Sequence, residues 1–165
     1  MYFCRPEHAS DIAQVRALLE SAFPSTAEAR LVDALRGSGR LVVSVVAADG
    51  KAIVGHVAFS PVTVGPAQGL GLAPMAVLPA HRNKGVGALL VREGLASCAE
   101  QGCGFVVVLG EPEYYGRFGF ERASARGLDN EYGVDEAFMV LELRAGALPG
   151  AGGVARYAPE FALVG

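Results

Sequence analysis

Cysteine is scarce in this chain of 165 residues, and the three present, Cys4, Cys98 and Cys103, share no CxxC spacing. An odd, unpatterned set excludes a disulfide framework, argues against a zinc site and suits a reducing cytosol. Although 52% of residues are hydrophobic, no uncharged apolar run is long enough to cross a bilayer. The opening MYFCRPEHASD lacks a basic region followed by an apolar run, so no signal peptide is expected. Excess positive charge is absent too: the formal net charge is -3, which leaves no broad basic face for duplex nucleic acid. The length suits one domain with a core of its own. A cytoplasmic globular protein without metal, membrane or nucleic-acid partner is the expectation.

Against that mildly acidic background, LPAHRNKGVGALLVREGLASCAEQG gathers His81, Arg82 and Lys84 just before Gly85 and Gly87, where a helical pattern begins. Backbone N–H groups at a helix start are unpaired and carry the positive end of the helix dipole, so they bind phosphate. Glycines admit an anion close to the main chain, and Arg82 and Lys84 add charge. The cluster therefore points to a local anion site.

The flanking pattern is mixed α and β. SDIAQVRALLESAF has an N-cap candidate in Ser10 or Asp11 and apolar residues at helical spacing, and TAEARLVDALRGSG repeats the pattern up to its glycines. LVVSVVAADGKAIVGHVAFSPVTV reads as two strands joined at Asp49-Gly50. GLGLAPMAVLP is a strand candidate, Val86 to Gln101 a helix with Leu90, Val91, Gly94, Leu95, Cys98 and Ala99 on its apolar stripe, and FVVVLG a strand covered on both faces. Residues 70–109 thus form a strand–helix–strand unit with parallel strands. PEYYGRF is a short helix with Pro112 in its first turn, and AFMVLELR is the last clear strand. GALPGAGGV is linker-like, and RYAPEFALVG is apolar enough to dock.

No GxxxxGK[ST] loop occurs, and the glycines supply only part of a dinucleotide-binding GxGxxG. What stands after the strand ending Met75-Ala76-Val77 is Arg82-Asn83-Lys84-Gly85-Val86-Gly87-Ala88, an RxxGxGA pattern. In that setting it resembles motif A of the GNAT superfamily of N-acetyltransferases. AEARLVDALR, VGHVAFSPV, LAPMAV, VLGEPEYYGRFGFE and DEAFMVLEL are likewise similar to segments of its YhbS-like branch. The resemblance implies an α/β (α+β) fold, with a mixed central sheet flanked by helices on both faces and a splayed strand pair that opens a slot for CoA. It implies acetyl-CoA as co-substrate, with the pyrophosphate on Arg82 to Ala88 and the pantetheine along Met75, Ala76 and Val77. A main-chain N–H of that strand near Val77 would steady the oxyanion. Pro74 fits such a splay, because proline cannot donate to a ladder and a central strand otherwise rejects it. An acetyltransferase domain over 1–146 follows, then a Gly/Ala/Pro linker and C-terminal segment over 147–165. That segment either completes the sheet or crosses to a partner subunit in a homodimer.

Tyr115 stands four residues before Gly119-Phe120. This is the YxxxGF arrangement in which GNAT enzymes place a tyrosine that protonates the departing thiolate and lies against the cofactor. A phenol near pKa 10 can donate to a thiolate whose thiol is near about 8.5 while staying protonated itself. Helical geometry allows only one of Tyr114 and Tyr115 to face the slot. Arg117 is a further candidate for a cofactor phosphate, against a plain surface role.

A lysine-like amine is protonated at neutral pH, so its proton needs an acceptor. Glu111, Glu28 and His56 are the alternatives, and the family also works with no dedicated base. Asp129, Glu131, Asp135 and Glu136 would attract a cationic amine if their loop lines the acceptor side. None of the cysteines is expected to be a nucleophile. Two rivals remain open: a non-catalytic CoA-binding sensor, and an interaction module on the same fold.

Overall fold

A computed structural model describes residues 1–164. Among them, nine strands and four α-helices follow in the order β1 (Tyr2–Pro6), α1 (Ile12–Ala22), α2 (Ala27–Ser38), β2 (Val43–Asp49), β3 (Ala52–Val64), β4 (Ala67–Val77), α3 (Val86–Glu100), β5 (Phe105–Leu109), α4 (Pro112–Gly116), β6 (Glu121–Arg122), β7 (Leu128–Asn130), β8 (Phe138–Glu142) and β9 (Gly153–Tyr157). The strands join in one mixed sheet of order β1-β2-β3-β4-β5-β8-β6, with β9 beside β3 and β7 beside β9. The β2–β3 hairpin closes where expected, but Gly50 (φ 63°) is the first of its two connecting residues rather than the second.

Cα packing divides the chain into two compact units. One comprises residues 1–59 and 73–96 with the 3-10 turn Pro159–Leu163. Its core is what the helical spacing predicts: Val15, Leu18 and Leu19 of α1 and Ala29 and Val32 of α2 cover Val46 of β2, Ile53 and Ala58 of β3 and Ala76 of β4. Asp11 holds the N-cap position of α1 without capping it. Its carboxylate instead takes two bonds from Arg5, at 2.6 and 3.0 Å, and one from the His8 N–H at 2.7 Å. Ala99, expected on the apolar stripe of α3, is exposed.

The other unit comprises residues 60–72 and 97–158. Val62 and Val64 of β3 pack here with Phe105 and Val107 of β5 and Phe138 and Val140 of β8. The parallel pairing of β4 with β5 runs Leu70↔Val106, Gly71↔Val107 and Leu72↔Val108, and the register has no further members. Pro74 lies just beyond that end and still inside β4.

Of the two courses expected for the C-terminal stretch, it takes the first and completes the sheet, and part of the linker-like run joins the strand. Gly153–Tyr157 is a strand that runs antiparallel to Val62–Val64 and parallel to Leu128–Asn130 of its own chain. The glycines that resemble a linker mark a backbone crossing: a methyl on Gly152 would overlap the carbonyl of Gly127, and the Gly153 N–H donates to that same carbonyl at 3.1 Å. The stretch from Glu121, expected as loop, also supplies the short strands β6 and β7.

Candidate functional site

The chain leaves β4 through Leu78 and a 3-10 turn at Pro79–His81, and α3 begins at Val86. The Gly85 carbonyl accepts the Leu89 N–H at 3.1 Å, the first bond of the helix. The N–H groups of Val86, Gly87 and Ala88 therefore have no partner within the helix, which makes this end a donor site for an anion. Two left-handed residues curl the preceding loop, Asn83 at φ 61° and Gly85 at φ 82°. Asn83 is the one non-glycine in that region among the described residues, and asparagine tolerates it better than most. A methyl on Gly85 would meet no protein atom within 4 Å, so the space above its Cα is open.

Arg82 and Lys84 are exposed. Arg82 is anchored all the same, its Nε donating to the Val77 carbonyl at 3.0 Å. His81 has one ring nitrogen committed elsewhere: its Nδ1 lies 2.8 Å from the Tyr2 hydroxyl, and the two rings meet edge-on at 5.6 Å. Tyr2 is a contributor that sequence reasoning missed. Nothing local marks it, since its partner lies 79 residues away.

The Leu78 N–H donates to Val54 of β3 at 2.9 Å. Because N–H and C=O groups alternate sides along a strand, those of Met75 and Val77 point away from β3. On that side the β4–β5 register has already ended. Ala76 faces β3 instead, with its carbonyl beside Gly55. Gly55 is a second residue that the sequence did not single out. A methyl there would lie 2.9 Å from Leu90 Cδ1, 3.2 Å from Val86 Cγ1 and 3.3 Å from the Ala76 oxygen, so glycine lets the first turns of α3 close on the strands.

In the other unit, Pro112 opens α4 and Glu111 holds its N-cap position, exposed and without a side-chain cap bond. Tyr115 is 8% exposed. Its ring is surrounded by those of Tyr114 at 4.9 Å, Phe120 at 5.7 Å and Phe118 at 6.3 Å. Burial, with a smaller contribution from Tyr114, pushes the Tyr115 phenol up to about 12, so it stays protonated at neutral pH. Arg117 is used locally: its guanidinium sits 4.3 Å from the centre of the Tyr114 ring, and its Nε donates to the Tyr114 carbonyl.

The base candidates separate. His56 is wholly buried, with Nε2 2.8 Å from Ser44 Oγ. Burial first, and the Arg36 charge second, lower its pKa to about 3, so it is a neutral core histidine rather than an exposed base. Glu28 is half-buried in the first turn of α2, and its Oε1 is buried with no hydrogen-bond partner among the described residues. Glu28 and Glu111 belong to different units. Of the acidic loop, Asp135 and Glu136 pair with Arg122, and Glu131 pairs with Arg156 while accepting the Tyr157 N–H, so much of its charge is met internally. Burial raises Cys4 to about 11 and Cys98 to about 12 and also raises Cys103, which keeps all three as thiols. No metal-holding cluster occurs among the described residues, and none of their helices is long and apolar enough to cross a membrane.

Residues 12–120 match the model of the Acetyltransferase (GNAT) family. The chain is 42% identical over 161 residues to the Escherichia coli K12 protein named Uncharacterized N-acetyltransferase YhbS, a match covering 95% of this chain and 96% of that protein. Among solved structures it is similar to Escherichia coli YhbS in complex with CoA, with a TM-score of 0.91 and 41% identity over 98% of this chain and 92% of that one. A Brucella melitensis GNAT family acetyltransferase in complex with acetyl-CoA gives a TM-score of 0.82 and 34% identity, with 98% of each chain covered.

Proposed function

The chain belongs to the acetyltransferase (GNAT) family of acyltransferases, and from that premise we propose that it transfers an acetyl group from acetyl-CoA to a primary amine by direct attack in a ternary complex. The observation that carries the proposal is the start of α3, where unpaired N–H groups, two left-handed residues, open space above Gly85 and an anchored Arg82 coincide. Those features suit a pyrophosphate, and the relatives crystallised with CoA and acetyl-CoA support the choice.

Acetyl-CoA supplies an activated acyl carbon with a thiolate leaving group. Asn83 to Ala88 hold its phosphates by main-chain N–H groups, with charge from Arg82 and Lys84. Met75, Ala76 and Val77 form the strand edge for its pantetheine. The outward N–H and C=O of Met75 and the outward N–H of Val77 bond to the pantetheine amides, while the Val77 carbonyl is held by Arg82. In the transfer the amine nitrogen bonds to the acyl carbon and the carbon–sulfur bond breaks. Tyr115 gives its phenolic proton to the sulfur and regains one from solvent. Glu28, whose Oε1 is buried with no hydrogen-bond partner among the described residues, is one candidate acceptor of the amine's proton. Glu111, exposed at the N-cap position of α4, is the other candidate, directly or through water. The scarce, unpaired thiols favour the cytoplasm as compartment. Because Gly153–Tyr157 pairs within its own chain, strand exchange in a homodimer is not part of the proposal.

Calorimetric titration with acetyl-CoA tests the cradle, beside Gly87→Glu, whose carboxylate would face the phosphates. Micromolar affinity lost in the variant is expected. Thiol release across a panel of primary amines then tests the transfer. Tyr115→Phe should bind acetyl-CoA as well as wild type but turn over about 100-fold more slowly. Binding without turnover of any amine would leave a CoA sensor, and no binding at saturating acetyl-CoA would remove both.

A further inference from the structure

Gly110 links β5 to α4, and its Cα lies against the ring of Tyr115. A methyl on that Cα would overlap Tyr115 Cε2 and stand 2.7 Å from Cδ2 and 3.3 Å from Cζ. The backbone of Gly110 lies outside the left-handed region, so alanine is conformationally acceptable there and the ring alone excludes it. Neither partner can easily yield. The Gly110 N–H donates to the Ala137 carbonyl at 2.8 Å, which ties it to the segment entering β8. The Tyr115 N–H donates to the Glu111 carbonyl at 3.0 Å, and the Tyr115 carbonyl accepts the Phe118 N–H at 3.0 Å. The other sides of the ring meet Tyr114, Phe118 and Phe120.

We propose that Gly110 is a positioning residue for the transfer: its bare Cα forms one wall of the slot that holds the Tyr115 ring, and so fixes where the phenolic hydroxyl stands. The inference rests on Tyr115 acting as the acid proposed above. A side chain in place of the glycine hydrogen displaces the ring, and displacement of a reacting group by about 1 Å costs on the order of 100-fold in rate. Cofactor affinity, which depends mainly on the start of α3 and the end of β4, changes little.

The test uses Gly110→Ala, Tyr115→Phe and the double variant of the full chain, labelled with tyrosine carrying 13C at Cζ. The Tyr115 resonance is the one that Tyr115→Phe removes. In Gly110→Ala that resonance should move, and its titration midpoint should fall from about 12 toward the ordinary phenol value as the ring takes up solvent. An unmoved Tyr115 resonance overturns the proposal, with no acceptor needed to see it. In thiol release from acetyl-CoA with a primary amine, Gly110→Ala should lower kcat about 100-fold with KM for acetyl-CoA within about twofold. The double variant should be no slower than Tyr115→Phe alone, because both changes act through one hydroxyl. A Gly110→Ala enzyme at the wild-type rate also overturns the proposal. A Tyr115→Phe enzyme as fast as wild type overturns the acid role, and the resonance still decides the seat. Should Gly110→Ala not fold, Tyr115→Leu placed beside it removes the overlap. A folded double variant then supports the seat, and an unfolded one overturns it.

Discussion

Arg82 donates from Nε to the carbonyl of Val77, 3.0 Å away, and so ties the glycine loop to the end of β4. The bond uses one edge of the guanidinium and leaves its terminal nitrogens for an anion. Arg82→Ala should therefore weaken acetyl-CoA binding about 10- to 100-fold, the range of a charge-assisted contact. Arg82→Lys should recover little of it, since one ammonium cannot hold the carbonyl and a phosphate with the same planar geometry. Calorimetry at two salt concentrations checks both variants. Equal affinity in Arg82→Ala would remove this residue from the cradle.

Gly55 sets how closely α3 approaches β3 and β4. Gly55→Ala places a methyl 2.9 Å from Leu90 Cδ1 and 3.2 Å from Val86 Cγ1, side chains that carry the first turns of the helix. Overpacking of this kind costs about 1–3 kcal/mol. Because Val86 opens α3, acetyl-CoA affinity should fall several-fold as well. Urea unfolding with calorimetry reads both quantities, and a loss of stability alone would show that the helix start does not need this fit.

The candidate anion-binding loop was legible because its parts are local. Gly85 and Gly87 at a helix start, basic residues before them and Pro74 within a strand-like run all act within about a dozen residues. The core helices were legible for the same reason, through apolar spacing. What escaped depends on pairs far apart in sequence. Tyr2 finds His81 across 79 residues, and Gly152 meets Gly127 where two backbones cross. Glycine has one spelling for a flexible linker and for a crossing that only a hydrogen fits, so the start of β9 was not legible although its joining the sheet was one of the two expected courses. His56 alternates with apolar neighbours and could have faced either side of the sheet. Only the helices packed over β3 decide that it is buried.

His56 gives acid sensitivity a defined window. Its pKa is lowered to about 3 in the folded chain by burial and then by Arg36, while an unfolded histidine titrates near about 6.5. Between those values the unfolded chain binds a proton that the folded chain does not. Stability from this group is thus full above about pH 6.5 and is lost as pH falls toward the folded value, at up to about 1.4 kcal/mol per pH unit. In urea unfolding between about pH 4.5 and 6.5, His56→Gln should flatten the slope. An unchanged slope would mean that His56 gains its proton without leaving the fold.

Asp11 acts in a lower window. The Arg5 hydrogen bond, helped by the His8 N–H against the opposing cost of burial, lowers its pKa to about 2. An unfolded aspartate titrates near about 3.9. The stabilisation is complete above that value and is lost as pH falls through the folded one. Asp11→Asn keeps the shape and removes the charge, so it should cost about 1–2 kcal/mol at neutral pH, and the gap to wild type should narrow below about pH 4. Urea unfolding at about pH 7, 5 and 3 measures the gap. Arg5 retains some exposure, 29% of its side chain, and a pair screened by that solvent would show no gap at any pH. A gap that persists unchanged at the lowest pH would instead place the loss in packing, at the junction where β1 turns into α1, rather than in the ion pair.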